Sequence, residues 1–166
     1  EYTGALKVLQ MIFSYEYLWI QIRVKGGAYG CMCSFSDQGD SMFVTYRDPN
    51  LSESYKVYDE AADYVADFDA DDRDMKKYII GTIGSMDMPM EAVDMGARSF
   101  HAYFLGKTEA DLQKVRDQVL SCTQEDIRAL APIVKAVVEA GNRCCIGNEE
   151  KIDQNKEYFD EVKHVL

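Results

Sequence analysis

At 166 residues, 47% hydrophobic and 28% charged, the chain has the make-up of a soluble globular domain large enough for a real core. Its formal net charge of -11 resides in residues 48–166, with 14 basic against 25 acidic side chains, while residues 1–47 balance at four of each. Such a surface repels nucleic-acid phosphates and anionic membranes and suits solubility or basic peptide partners, and no apolar run is long enough to span a bilayer.

Residues 3–24 read as one helix. Leu6, Leu9, Ile12, Phe13, Leu18 and Trp19 recur at helical spacing, and Val8, Met11, Ile20 and Ile22 add apolar residues on other faces. A helix apolar on most sides is expected to be buried. The alternation of Ile20, Ile22 and Val24 with Gln21, Arg23 and Lys25 also fits a strand. Gly26-Gly27 breaks the segment in either case.

Ala28 to Ser36 and Ser41 to Arg47 read as strands joined by the turn Asp37-Gln38-Gly39-Asp40, a hairpin. Asp48-Pro49 is expected to cap the next helix and place proline in its first turn. That helix carries Leu51, Tyr55, Tyr58, Ala62, Val65 and Phe68 on one stripe. Asp67 to Asp74 reads as an acidic linker, followed by a helix with Met75, Tyr78, Ile79 and Ile83. From about Met90, the residues Val93, Ala97, Phe100, Tyr103 and Phe104 continue a helical pattern up to Gly106. Thr108-x-x-Asp111 and Thr123-x-x-Asp126 have the form of capping boxes, opening helices that run to about Ser121 and Glu139. Arg143 to Ile146 is expected as a third short strand, and a last helix holds Ile152, Tyr158, Phe159 and Val162.

The expected fold is therefore α+β. A single domain over residues 1–166 has an antiparallel or mixed sheet of about three strands against about six helices. The chain opens at Glu1 without an initiator Met, which reads as a fragment or a processed product. The five cysteines are odd in number and poorly spaced for a disulfide framework, which suggests reduced thiols in a cytosol-like compartment.

Few motifs offer chemistry. His101 and His164 are the two histidines, with 62 residues between them and neither beside a Glu-His pair, so no zinc ligand set is expected here. Asp67-x-Asp69-x-Asp71 opens like a calcium loop, but Asp72 and Tyr78 stand where Gly and Glu are needed. No Gly-Lys-Ser/Thr follows the glycines and no Gly-x-Ser-x-Gly elbow is present. What remains is Arg23 and Tyr29 on either side of Gly26-Gly27, with the small Ala28 and Gly30 beside them. A guanidinium fork and a phenol are hydrogen-bond donors that can grip a carbonyl oxygen or an oxyanion. The plain alternative is a diglycine turn flanked by an ordinary Arg and Tyr.

Arg23-Val24-Lys25-Gly26-Gly27-Ala28-Tyr29-Gly30, with Tyr46-Arg47-Asp48-Pro49-Asn50-Leu51 and the earlier Tyr15-Glu16-Tyr17-Leu18-Trp19, resembles the C-terminal domain of the presequence-protease group of zinc metallopeptidases, in the pitrilysin/insulinase superfamily. The resemblance covers nearly the whole chain and implies a peptidase-like half-domain whose first strands lie upstream. It implies a parent zinc endopeptidase of unstructured peptides, with zinc and its inverted His-x-x-Glu-His motif in an N-terminal half that partners this one across an enclosed chamber. It further implies that Arg23 and Tyr29 hold the substrate backbone and stabilise the tetrahedral intermediate, with Gly26, Gly27, Ala28 and Gly30 lining the peptide's path. No cofactor is expected in this portion, which alone should be inactive. The implied setting is a bacterial cytoplasm or an organellar matrix. A rival from the same superfamily is a catalytically inactive peptide-binding or scaffold subunit.

Overall fold

The computed structural model describes residues 2–164 and is α+β. A helix α1 (Ala5–Ile12) continues without a break into two π-helical segments, Phe13–Tyr17 and Trp19–Lys25. A hairpin of β1 (Gly30–Phe35) and β2 (Ser41–Tyr46) follows. Then come α2 (Leu51–Asp59), α3 (Ala61–Ala66), α4 (Asp72–Met86), α5 (Ala92–Phe104), α6 (Glu109–Leu120), α7 (Gln124–Arg128), α8 (Ala131–Glu139) and α9 (Glu149–Asp153), and a short 3₁₀ turn, Lys156–Tyr158.

The first long helix is the axis of the molecule. Val8, Leu9, Ile12, Phe13 and Leu18 are fully buried on it. The inner face of the hairpin, Cys33 and Phe35, closes on one side, and Tyr55, Tyr58 and Val65 of α2 and α3 close on another. Val119, Ile127 and Val134 of α6, α7 and α8 complete the core. Phe13 lies at the centre of an aromatic cluster, 5.7 Å from Phe43 and 5.8 Å from Tyr17 between ring centroids. Burying such side chains contributes roughly 1.5–3 kcal/mol each, so this helix is the largest contributor to the core.

The helix is not buried all round. Tyr15, Trp19, Ile20 and Val24 are exposed, while Ile22 is buried. The π geometry accounts for part of this. Bonds from i to i+5 widen the turn, so apolar residues that a 3.6-residue period would align fall onto different faces.

The sheet has two antiparallel strands rather than three. Its register runs from Gly30 opposite Tyr46 to Phe35 opposite Ser41. Arg143 to Ile146 has no regular secondary structure and pairs with no strand among the described residues, and Ile146 is almost fully exposed. A strand needs a ladder partner to satisfy its backbone, and neither strand of the hairpin pairs with this segment.

Both capping boxes form as the sequence indicates. The Thr108 and Thr123 hydroxyls accept the N–H groups of Asp111 and Asp126, whose carboxylates reach back. Asp71, within the acidic stretch, caps α4 by accepting the Asp74 N–H at 2.8 Å. The start of α2 differs from expectation. Asn50, not Asp48, is the residue before the helix, and Pro49 lies outside the first turn. The stripe from Leu51 to Phe68 is divided at Glu60 into two helices, and α7 and α8 divide the segment after Thr123. The segment α5 is helical as its periodicity demands, yet none of its residues is buried.

Candidate functional site

The site grows from the end of the second π segment. The Gly26 N–H donates to the Gln21 carbonyl at 3.0 Å, Gly27 N–H to Arg23 at 3.2 Å, and Ala28 N–H to Ile22 at 3.2 Å. The first and third of these bonds span five and six residues, which unwinds the helix and turns the chain into β1. Gly27 sits at φ +79°, a left-handed conformation that favours a residue without Cβ. A Cβ on Gly26 would lie 2.6 Å from the Ile22 carbonyl oxygen. The diglycine is thus required by its own backbone.

The turn is pinned from the far side of the hairpin. Asn50 Nδ2 donates to the Gly26 carbonyl at 2.6 Å. Asp48 holds Asn50 in place, accepting the Asn50 N–H on Oδ1 at 2.9 Å and the Ser54 hydroxyl on Oδ2 at 2.5 Å. Charge-assisted bonds of this kind are about twice as strong as neutral ones.

Arg23 and Tyr29 project from this frame. The Arg23 guanidinium carbon lies 5.1 Å from the centroid of the Trp19 ring, one turn back on the π segment. Arg23 is half-buried, and its Nε is buried without a hydrogen-bond partner among the described residues. Its charge is felt at Cys31, where it opposes the upward push that burial gives the thiol. Tyr29 is 66% exposed. Its N–H donates to the carbonyls of Tyr46 at 3.1 Å and Arg47 at 3.3 Å, which fixes the base of the side chain. The Tyr46 ring meets the Tyr29 ring edge-on at 5.8 Å. The Arg47 guanidinium carbon lies 5.8 Å from the Tyr29 centroid and 5.3 Å from that of Tyr46.

The arrangement presents a phenol to solvent beside a cation, with a second cation in reserve of donors. It can donate hydrogen bonds to an oxygen that carries or gains negative charge. It includes no acid–base pair of its own.

The sequence-derived site residues fall into three groups. Arg23 and Tyr29 are both accessible in part, neither sunk in the interior. Gly30 stands in open space, since an added Cβ there would meet nothing within 4 Å. Ala28 departs from expectation: the residue is 1% exposed and belongs to the core. Its small size serves packing, and the residue as a whole is closed to solvent. Three participants were not singled out individually: Tyr46, Arg47 and Asn50. Their signal was the string Tyr46-Arg47-Asp48-Pro49-Asn50, which marks a strand ending in a tight turn but not what that turn grips.

Among the described residues no group of three or more His, Cys, Asp or Glu side chains could hold a metal ion. His101 is exposed on α5, and His164 lies 3.6 Å from Glu149 at the surface. The donor set here does not fit zinc. The five cysteines are free, and burial pushes the Cys33 thiol up to about 12. A cleft of about 870 Å³ opens between the hairpin tip and α8, bounded by Asp40, Phe43, Tyr55 and Ile133; neither Arg23, Tyr29 nor Arg47 lines it. Among the described residues no helix is long and apolar enough to cross a membrane.

The chain is similar to known proteins along its length. The family model described as the PreP C-terminal domain matches residues 1–148. The chain is 41% identical over its full length to Protein HypA of Clostridium perfringens, covering 17% of that protein. It is 33% identical, again over its full length, to presequence protease 1, chloroplastic/mitochondrial, of Arabidopsis thaliana, covering 16% of it. Over 90% of its length it is 34% identical to the mitochondrial presequence protease of Aspergillus fumigatus, covering 14%. The chain therefore spans about a sixth of the length of these relatives.

Proposed function

Because the chain belongs to the PreP C-terminal domain family, we propose that it is the zinc-free C-terminal portion of a metalloendopeptidase that degrades unstructured peptides. Its presequence-protease relatives make it a peptidase-associated domain; the finer roles below are our reading. The domain forms one wall of a peptide chamber and is inactive by itself. Zinc, held by another part of the same polypeptide, supplies the Lewis-acid chemistry. Everything else assigned here is done by this chain.

The backbone of a peptide passes the turn at Gly27 and Gly30, where the absence of side chains leaves room for it, while Gly26 shapes that turn. The Tyr29 phenol donates to the scissile carbonyl oxygen as that oxygen gains charge. The Arg23 guanidinium, oriented on Trp19, adds a second donor and a permanent positive charge. Such donors act in a pre-arranged geometry and are worth most where charge develops, on the order of 10²–10³ in rate for one donor. The observation that carries the reading is the contrast at Tyr29: a backbone fixed by two carbonyls beneath an aromatic side chain that stays open to solvent.

The experiment is turnover of an unstructured peptide by the full polypeptide. Tyr29→Phe and Arg23→Ala lower kcat with zinc content unchanged. Wild-type turnover in both variants would remove the proposed role. An upstream reading frame without a zinc motif would favour the inactive-subunit reading instead.

A further inference from the structure

Arg47 is the one non-glycine residue with positive φ among the described residues, at +48°. That region is sparsely populated by residues with a Cβ. Where such a conformation persists, the surrounding structure over-determines it, and such residues gather at functional sites. Here the determinants are on the page. The left-handed turn at Arg47 ends β2 and directs the carbonyls of both Tyr46 and Arg47 to the Tyr29 N–H, at 3.1 and 3.3 Å. The same residue sends its guanidinium over the Tyr29 and Tyr46 rings, at 5.8 and 5.3 Å. Arg47 makes no ion pair among the described residues, so its cation is not spent on a carboxylate.

From these contacts we infer that Arg47 is a positioning residue for Tyr29. It holds the tyrosine at both ends, by its backbone carbonyl at the amide and by its side chain at the ring, and so limits the rotamers of an exposed phenol. The inference rests on the catalytic reading of Tyr29 for its consequence in turnover but not for its geometry. Cation–π contact with two rings is a modest but directional restraint. A phenol that wanders through several rotamers spends less time where a carbonyl needs it, and misplacement costs rate.

The test uses the full polypeptide. Arg47→Gly suits it, because glycine adopts φ near +48° without penalty while the whole side chain, guanidinium included, is removed. The expected result is a fall in kcat of about three- to tenfold with KM within about twofold. Arg47→Lys, which keeps a cation, recovers most of the loss. In a Tyr29→Phe background the Arg47→Gly change has less than about a twofold effect, because the two residues act as a unit. An unchanged kcat, an equal fall in both backgrounds, or a rise in KM alone would overturn the positioning role, the last by making Arg47 a direct peptide contact. Carbon-13 spectra of tyrosine-labelled protein separate this inference from the catalytic one. Arg47→Gly shifts the Tyr29 and Tyr46 ring signals, and an unmoved Tyr29 signal overturns the inference whatever the activity. If Tyr29→Phe keeps wild-type turnover, the catalytic reading fails and these spectra still decide the geometry.

Discussion

The side-chain amide of Asn50 donates to the Gly26 carbonyl across 2.6 Å, joining two segments 24 residues apart. This bond ties the diglycine turn to the start of α2, and through Asp48 to Ser54. The turn that separates Arg23 from Tyr29 is therefore held by the loop that follows Arg47. Both halves of the candidate site share one frame.

Asn50→Ala removes the donor and leaves a part-buried carbonyl unpaired. The expected cost is about 1–3 kcal/mol of unfolding free energy, read by urea denaturation of the wild type and the variant. Asn50→Asp is expected to do no better, because a carboxylate cannot donate to a carbonyl. A loss below about 0.5 kcal/mol in Asn50→Ala, the range of an ordinary surface change, would show that the turn holds its shape without the clamp.

How much of this was legible in the sequence depended on how local its cause is. The capping boxes at Thr108 and Thr123 are closed by residues three positions away, so both could be read directly. The hairpin and the break at Gly26-Gly27 are local too. Arg23 and Tyr29 stood out because they flank that break. The left-handed Arg47 did not, since its φ is set by the meeting of β2 with Tyr29, 18 residues earlier in the chain. The π geometry from Phe13 to Lys25 was hidden because apolar residues on every side fit helix, strand or a widened helix alike. Arg143 to Ile146 has strand-like residues, but a strand is defined by its partner, and periodicity carries no information about one.

The buried thiols give the protein an alkaline limit. Burial pushes Cys33 from 9.0 to about 12, with Cys31 adding to the shift, and Cys122 from 9.0 to about 12, with Asp126 adding. In the unfolded chain these thiols ionise near 9, whereas in the folded chain they hold their protons. The native state thus binds more protons above pH 9, and stability falls as pH rises. Their contribution is complete below pH 9 and is lost as pH rises towards 12. Each group steepens the decline by about 1.4 kcal/mol per pH unit once its unfolded form is ionised. Urea unfolding from about pH 8 to about pH 11 measures this slope. Cys33→Ala lowers stability at the neutral end, where packing is lost, and gives a shallower decline at the alkaline end. Parallel slopes for the variant and the wild type would mean that Cys33 does not titrate on unfolding.

The two apolar helical patterns make opposite contributions to stability. Leu9 on α1 is fully buried, so Leu9→Ala removes packed volume at the centre of the core and should cost about 2–5 kcal/mol. Phe100 on α5 is 66% exposed, and its neighbours Val93, Tyr103 and Phe104 are more exposed still. Phe100→Ser should change stability by no more than about 0.5 kcal/mol, since serine and phenylalanine have similar helix propensities and little burial is lost. Denaturation of the two variants side by side decides the matter. A Phe100→Ser loss that approaches that of Leu9→Ala would require α5 to pack its aromatic face against this domain. The near-neutral result would instead show that periodicity made the segment a helix without giving it a place in the core.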